Sequence, residues 1–148
     1  MPKTHKKKVL IILGHPRKES FCGALAHAYE RGVRKGGGDA QLLILADIRF
    51  DPVLRNGYEK PQKIEKDLAQ AQHDILWDDH IVLVYPDWWG GMPALMKGFI
   101  ERVFLPGFAY KYHDVFPYFE QYLTGKSARV IITMDEPTWI YRWYFGSP

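Results

Sequence analysis

Four short apolar runs divide the chain, and the stretches between them repeat their apolar residues at helical spacing. Val9 to Leu13, Gln41 to Ala46, Ile81 to Tyr85 and Ala128 to Thr133 are too short for helices and rich in branched side chains, so they read as strands. The run IVLVY at 81–85 shows no polar alternation, which suits a strand covered on both faces of a parallel sheet. Ser20 offers an N-cap to a helix running to about Lys35, where Gly36-Gly37-Gly38 ends it. A charged helix is expected from about Pro61, with Ile64, Leu68 and Ala71 on its inner face. Pro93 opens a third helix in which Leu95, Met96, Phe99, Ile100 and Val103 recur. Strands alternating with helices predict an α/β fold, a doubly wound parallel sheet between helical layers with right-handed crossovers.

Composition narrows the class without naming a function. A chain of 148 residues that is 47% hydrophobic suits one domain over 1–148 with a proper core. Twenty Lys+Arg against seventeen Asp+Glu leave only +3. Part of that excess sits in Lys3, Lys6, Lys7 and Lys8 at a frayed end, so nucleic-acid binding has little support. A solvated tail explains those lysines more simply than contact with an anionic membrane. Cys22 is the sole cysteine, which rules out an intramolecular disulfide and fits a reducing compartment. The apolar run VLIIL is broken by Gly14-His15-Pro16 before it could serve as a signal peptide, and no apolar run is long enough to span a bilayer. A soluble, cytoplasmic protein is expected. The six histidines lack the paired spacing with cysteine or acid that zinc requires, so no metal is expected.

Two loops carry candidate chemistry. In open α/β sheets ligands bind beyond the carboxyl ends of the strands, where Pro86, Asp87, Trp88, Trp89 and Gly90 fall. Two flat indoles beside permissive glycines suit a planar ligand approached by backbone, and they equally suit a core filled beneath a loop. After the first strand, Ser20 with the amides of Phe21 and Cys22 makes an anion cradle at a helix amino end. His15 and Arg17 can add charge or hydrogen bonds to it. An ordinary helix cap at Ser20, a turn residue at His15 and a solvated Arg17 are the plainer readings of the same residues.

The run PDWWGGMPALMKGFIERVFLPGFAY resembles the signature segment of the flavodoxin-like NAD(P)H:quinone reductases. These two-electron flavin reductases include azoreductase-like enzymes and the ancillary subunits of bacterial potassium efflux systems. LIILGHPRKESFCGALAHAY resembles the first strand and phosphate loop of that family, and VIITMDEPTWIYRWYFGSP its fourth strand and flavin loop. The resemblance implies a flavodoxin-like fold, FMN or FAD held tightly, and NAD(P)H as hydride donor. A quinone-like small molecule would be the ping-pong acceptor, on a homodimer. It implies phosphate contacts from His15, Ser20, Phe21 and Cys22, where the family frequently has asparagine in place of the cysteine. Pro86 to Gly90 would lie along the isoalloxazine with Trp89 flanking it, and Asp87, where the family carries an apolar residue, would contribute backbone. Thr133, Met134, Asp135 and Glu136 match the loop at the pyrimidine side.

Tyr141 matches a tyrosine whose hydroxyl stabilises negative charge on the reduced ring, and it also belongs to an aromatic cluster from Trp139 to Phe145. Tyr110 and Tyr112 match the pair that closes the substrate pocket of the partner subunit, and an interface alone would also explain them. The resembling family runs on past Ser147-Pro148 into a fifth strand and a last helix, which this chain is expected to lack. A shortened chain, a short member completed through its dimer, and a remnant without activity are three accounts of that difference. A non-catalytic regulatory subunit, with a membrane protein as partner, is the alternative to the reductase.

Overall fold

The computed structural model describes residues 6–112 and 118–145. Within them run β1 (Lys8–Leu13), α1 (Phe21–Lys35), β2 (Asp39–Ile44), α2 (Lys66–Trp77), β3 (His80–Pro86) and α3 (Ala94–Val103). There follow β4 (Tyr110–Tyr112), β5 (Phe119–Gln121), β6 (Ser127–Thr133) and α4 (Thr138–Phe145). The main sheet is all parallel in the order β2-β1-β3-β6, while β4 and β5 form a separate antiparallel pair. The order reverses at β1, since β2 leaves on one side and β3 on the other, and ligand crevices form at such a switch point.

The strands are apolar on both faces because both faces are covered. Val9, Ile11, Leu13, Val82 and Val84 pack with Cys22 and Ala26 of α1. Leu10, Ile12 and Tyr85 pack on the other face with Leu68, Ala71 and Ile75 of α2 and with Met96, Phe99 and Val103 of α3. This parity makes three layers and confines polar residues of the central strands to their first positions, Lys8 and His80. Coverage fails only at β6, where Val130 and Ile132 keep 48% and 37% of their surface exposed. Among the described residues no strand pairs with the outer edge of β6, and no helix is long and apolar enough to cross a membrane.

Two expected boundaries moved, and three short elements were not anticipated. Strand β2 stops at Ile44 rather than Ala46, although Leu45 N–H still donates to the Leu13 carbonyl. α2 starts at Lys66, not near Pro61, because the preceding residues are tied to other partners. Gln62 accepts from Arg55 N–H and donates to the Val53 carbonyl, and Glu65 holds Arg102. The β4–β5 pair and α4 are too short to leave a clear periodicity in the sequence.

Arg102 of α3 is fully buried. Its guanidinium donates to Glu65 Oε2 at 2.7 Å and Oε1 at 3.2 Å, to the Asp51 carbonyl at 2.6 Å and to the Lys63 carbonyl at 3.0 Å. One side chain thus fastens both ends of the 51–65 segment to α3. The same contact is tight at Gly98, where a Cβ would lie 2.5 Å from the Pro52 ring and carbonyl oxygen.

Candidate functional site

The carboxyl ends of β1, β3 and β6 bring three loops together, and each loop owes its shape to a local device in the sequence. The first runs from Gly14 to Ser20. Ser20 is in extended conformation and its Oγ accepts from Gly23 N–H at 3.2 Å, which confirms it as the N-cap of α1. A Cβ at Gly23 would lie 1.9 Å from the Lys18 carbonyl oxygen, so only glycine lets the loop close onto the helix. The N–H groups of Phe21 and Cys22 fall in the first turn, where no intrahelical acceptor exists, and they are the donors of the expected anion cradle. His15 Nδ1 accepts from Arg17 N–H at 2.9 Å, which places the ring proton on Nε2 and makes that edge a donor. The Arg17 side chain is exposed.

The second loop is a two-residue turn. Trp88 and Gly91 exchange both backbone bonds, at 2.8 and 3.2 Å. Between them Trp89 has φ 58° and Gly90 φ 73°, the φ signature of a type I′ turn. Glycine accepts that geometry freely, whereas tryptophan is strained there by an order of 1–3 kcal/mol. Trp89 nevertheless stands fully exposed, with no packing to offset the strain. Trp88 is less exposed and meets the His15 ring edge-on at 5.5 Å, linking the first two loops. The indoles therefore do not fill a core.

The third loop follows Thr133. Cys22 Sγ lies 3.1 Å from Thr133 Oγ1, and the Thr133 carbonyl accepts from Asp87 N–H at 2.8 Å. Asp87 thus contributes its backbone amide to the framework, and Cys22 is buried against the threonine. The thiol sits beside the cradle without aiming a strong donor into it. Met134 is half-buried, while Asp135 and Glu136 are exposed in the bend before α4. The backbone of Tyr141 belongs to α4, and its side chain lies outside the described residues.

The loops that carry His15 to Cys22, Pro86 to Gly90 and Thr133 to Glu136 thus lie at one end of the sheet and are tied through His15–Trp88, Cys22–Thr133 and Asp87–Thr133, while Tyr110 and Tyr112 stand apart on β4. Their rings meet edge-on at 5.1 Å and their hydroxyl oxygens are 3.5 Å apart. Together with Ala109, Phe119 and Gln121 they line an open cavity of about 350 Å³. Two contributors escaped sequence reading. Met96 closes the crevice floor, because a Cβ on Gly14 would lie 2.8 Å from its sulfur. Gly23 forms the cradle, and its position three residues after a candidate N-cap was the only signal for it.

The Flavodoxin_2 family, a flavodoxin-like fold, matches residues 7–147. The chain belongs to this family. Among curated relatives, an uncharacterised NAD(P)H oxidoreductase of Haemophilus influenzae is 39% identical over 108 residues, 69% of this chain and 52% of that protein. NAD(P)H dehydrogenase [quinone] 1 of Cavia porcellus is 28% identical, over 72% of this chain and 46% of that one. The chain spans about half the length of these two relatives. The solved structure of Smu.1420 from Streptococcus mutans UA159 superposes with a TM-score of 0.75 at 33% identity, covering 92% of this chain and 72% of the other.

Proposed function

We propose that this member of the flavodoxin-like family holds FMN or FAD tightly at the β1–β3–β6 crevice and is part of an NAD(P)H oxidoreductase that reduces quinones or related acceptors. The observation that carries this reading is the tie of all three loops to one another through His15–Trp88, Cys22–Thr133 and Asp87–Thr133. A site for a single extended ligand needs its phosphate end and its ring end fixed relative to each other, and these contacts do that. When bound, the flavin supplies hydride transfer, accepting from NAD(P)H and passing to the acceptor in a ping-pong cycle.

The chain's own residues then bind and orient. The first-turn amides of α1 and the Ser20 hydroxyl receive phosphate oxygens, with the Nε2–H edge of His15 as a further donor. Arg17 adds a cation at the rim. The peptide units from Pro86 to Gly90 run beside the ring, and the strained turn presents Trp89 as a flat wall. Thr133, Met134, Asp135 and Glu136 offer backbone groups to the polar edge of the ring. Tyr141 is the group we assign to stabilise negative charge there, as a hydrogen-bond donor. Tyr110 and Tyr112 form the acceptor wall, and placing them over a crevice would take the second subunit of a homodimer.

Reconstitution tests this. Protein titrated with FMN or FAD should quench flavin fluorescence, bleach on anaerobic addition of NADPH or NADH, and recover its absorbance with 1,4-naphthoquinone. Folded protein that takes up neither flavin would sink the proposal. It would favour the alternative of a non-catalytic regulatory subunit, to which the apolar surface of Val130, Ile132, Trp139 and Trp143 would then belong.

A further inference from the structure

Outside these loops, the segment 51–65 brings Tyr58 to a cleft walled by Pro106, which bridges to the tyrosine pair, a connection the sequence alone did not show. Tyr58 stands at the tip of this segment and is exposed. The tip is anything but free to drift, because Arg102 grips the segment at Asp51, Lys63 and Glu65, and Gln62 bonds across it to Val53 and Arg55. Tyr58 lines a cleft of about 170 Å³ with Leu54, Pro61, Leu105 and Pro106. Pro106 in turn bridges to Tyr110, and Gly107 N–H donates to the Tyr110 carbonyl at 2.8 Å. The cleft is below the size of a whole ligand site, whereas the adjoining cavity of Tyr110 and Tyr112 lies within that range. Tyr58 therefore stands where one edge of a flat molecule seated on the Tyr110–Tyr112 wall would project.

The state of the hydroxyls suits donation. The Tyr112 hydroxyl, then burial, then the Tyr58 hydroxyl push the Tyr110 phenol up to about 12, so it keeps its proton at any physiological pH. At 3.5 Å the Tyr110–Tyr112 contact is long, which leaves both oxygens capacity for a ligand. We propose that Tyr58 is a specificity-determining residue of the acceptor pocket, donating its hydroxyl together with that of Tyr110, which Tyr112 supports as donor, to the carbonyl oxygens of a quinone-type acceptor. This rests on the reading of the Tyr110–Tyr112 wall as the acceptor side.

The test compares wild type with Tyr58→Phe, which removes one hydroxyl and leaves the ring. With the flavin-loaded protein, KM for 1,4-naphthoquinone should rise about tenfold, the worth of one hydrogen bond between neutral groups. The rate with ferricyanide, which has no carbonyl to read, should stay unchanged. An unchanged quinone KM, or an equal loss with both acceptors, would overturn the proposal. If wild type takes up no flavin, the reductase reading fails separately. Quenching of tryptophan fluorescence by 1,4-naphthoquinone then decides. Binding that Tyr58→Phe weakens about tenfold keeps Tyr58 as a quinone-reading residue, and absent or equal binding removes it.

Discussion

Trp89 is fully exposed and Arg102 fully buried, although one stands in the turn before α3 and the other in its last turn. Each reverses the ordinary preference of its residue type. Arg102 is held by what surrounds it, with two carboxylate oxygens and two backbone carbonyls around one guanidinium. Trp89 is held by its backbone alone, through the exchange of two bonds between Trp88 and Gly91. The difference separates two ways of fixing a loop. A buried charge fastens a long segment whose removal the fold would feel, whereas a closed turn displays a side chain that the fold does not need.

Perturbing the buried side should give the largest effect. Glu65→Ala leaves the Arg102 charge buried beside carbonyls only, and with the Glu65 side chain about a third exposed we expect a loss of about 3 kcal/mol in urea unfolding. Arg102→Met should cost less, because it removes the fully buried charge and leaves a carboxylate that is about a third exposed and can be solvated. A loss larger than that of Glu65→Ala would contradict the account. Next comes Gly23→Ala in the crevice, where the 1.9 Å approach to the Lys18 carbonyl must open. Destabilisation of about 2 kcal/mol is expected, with a loss of flavin affinity in fluorescence titration.

The exposed side should respond in the opposite sense. Trp89→Gly gives up no buried surface and relieves a left-handed tryptophan, so stability should rise by about 1 kcal/mol in the same urea titration. The rate of acceptor reduction should fall, and a variant that is both less stable and fully active would reverse the comparison. The Glu65 anchor also predicts a pH dependence. Burial alone would raise its carboxyl, but hydrogen bonds from Arg102 and backbone N–H groups outweigh it and hold the group below its ordinary value of 4.5. Its contribution is therefore full above that value and is lost as pH falls through the lower folded one. Acid unfolding curves of wild type should steepen below about pH 4 relative to Glu65→Gln. The smallest effect is spectroscopic. In an alkaline absorbance titration one tyrosine should ionise near 12, and in Tyr112→Phe it should move back toward 10.

The sequence showed the main sheet because burial on both faces leaves a readable mark. Val9 to Leu13 and Ile81 to Tyr85 show no polar alternation, as expected of strands covered on both faces of a parallel sheet. The loop contacts left no such mark. Cys22 and Thr133 meet across 111 positions, and nothing in either segment signals the other. The late start of α2 was hidden for the same reason. Glu65 is an ordinary helical residue until Arg102, from another element, takes its carboxylate.

By itself the sequence determined the α/β alternation, the Ser20 cap, the glycine stop after Lys35 and the family, because periodicity, caps and motif runs are local properties of the chain. Only the tertiary structure decided that the tryptophans face solvent, that Asp87 gives its amide to Thr133, and that Tyr58 shares a cleft with Pro106 beside Tyr110. These depend on which elements become neighbours, and the energy that selects neighbours is the burial of whole faces, which no single segment contains.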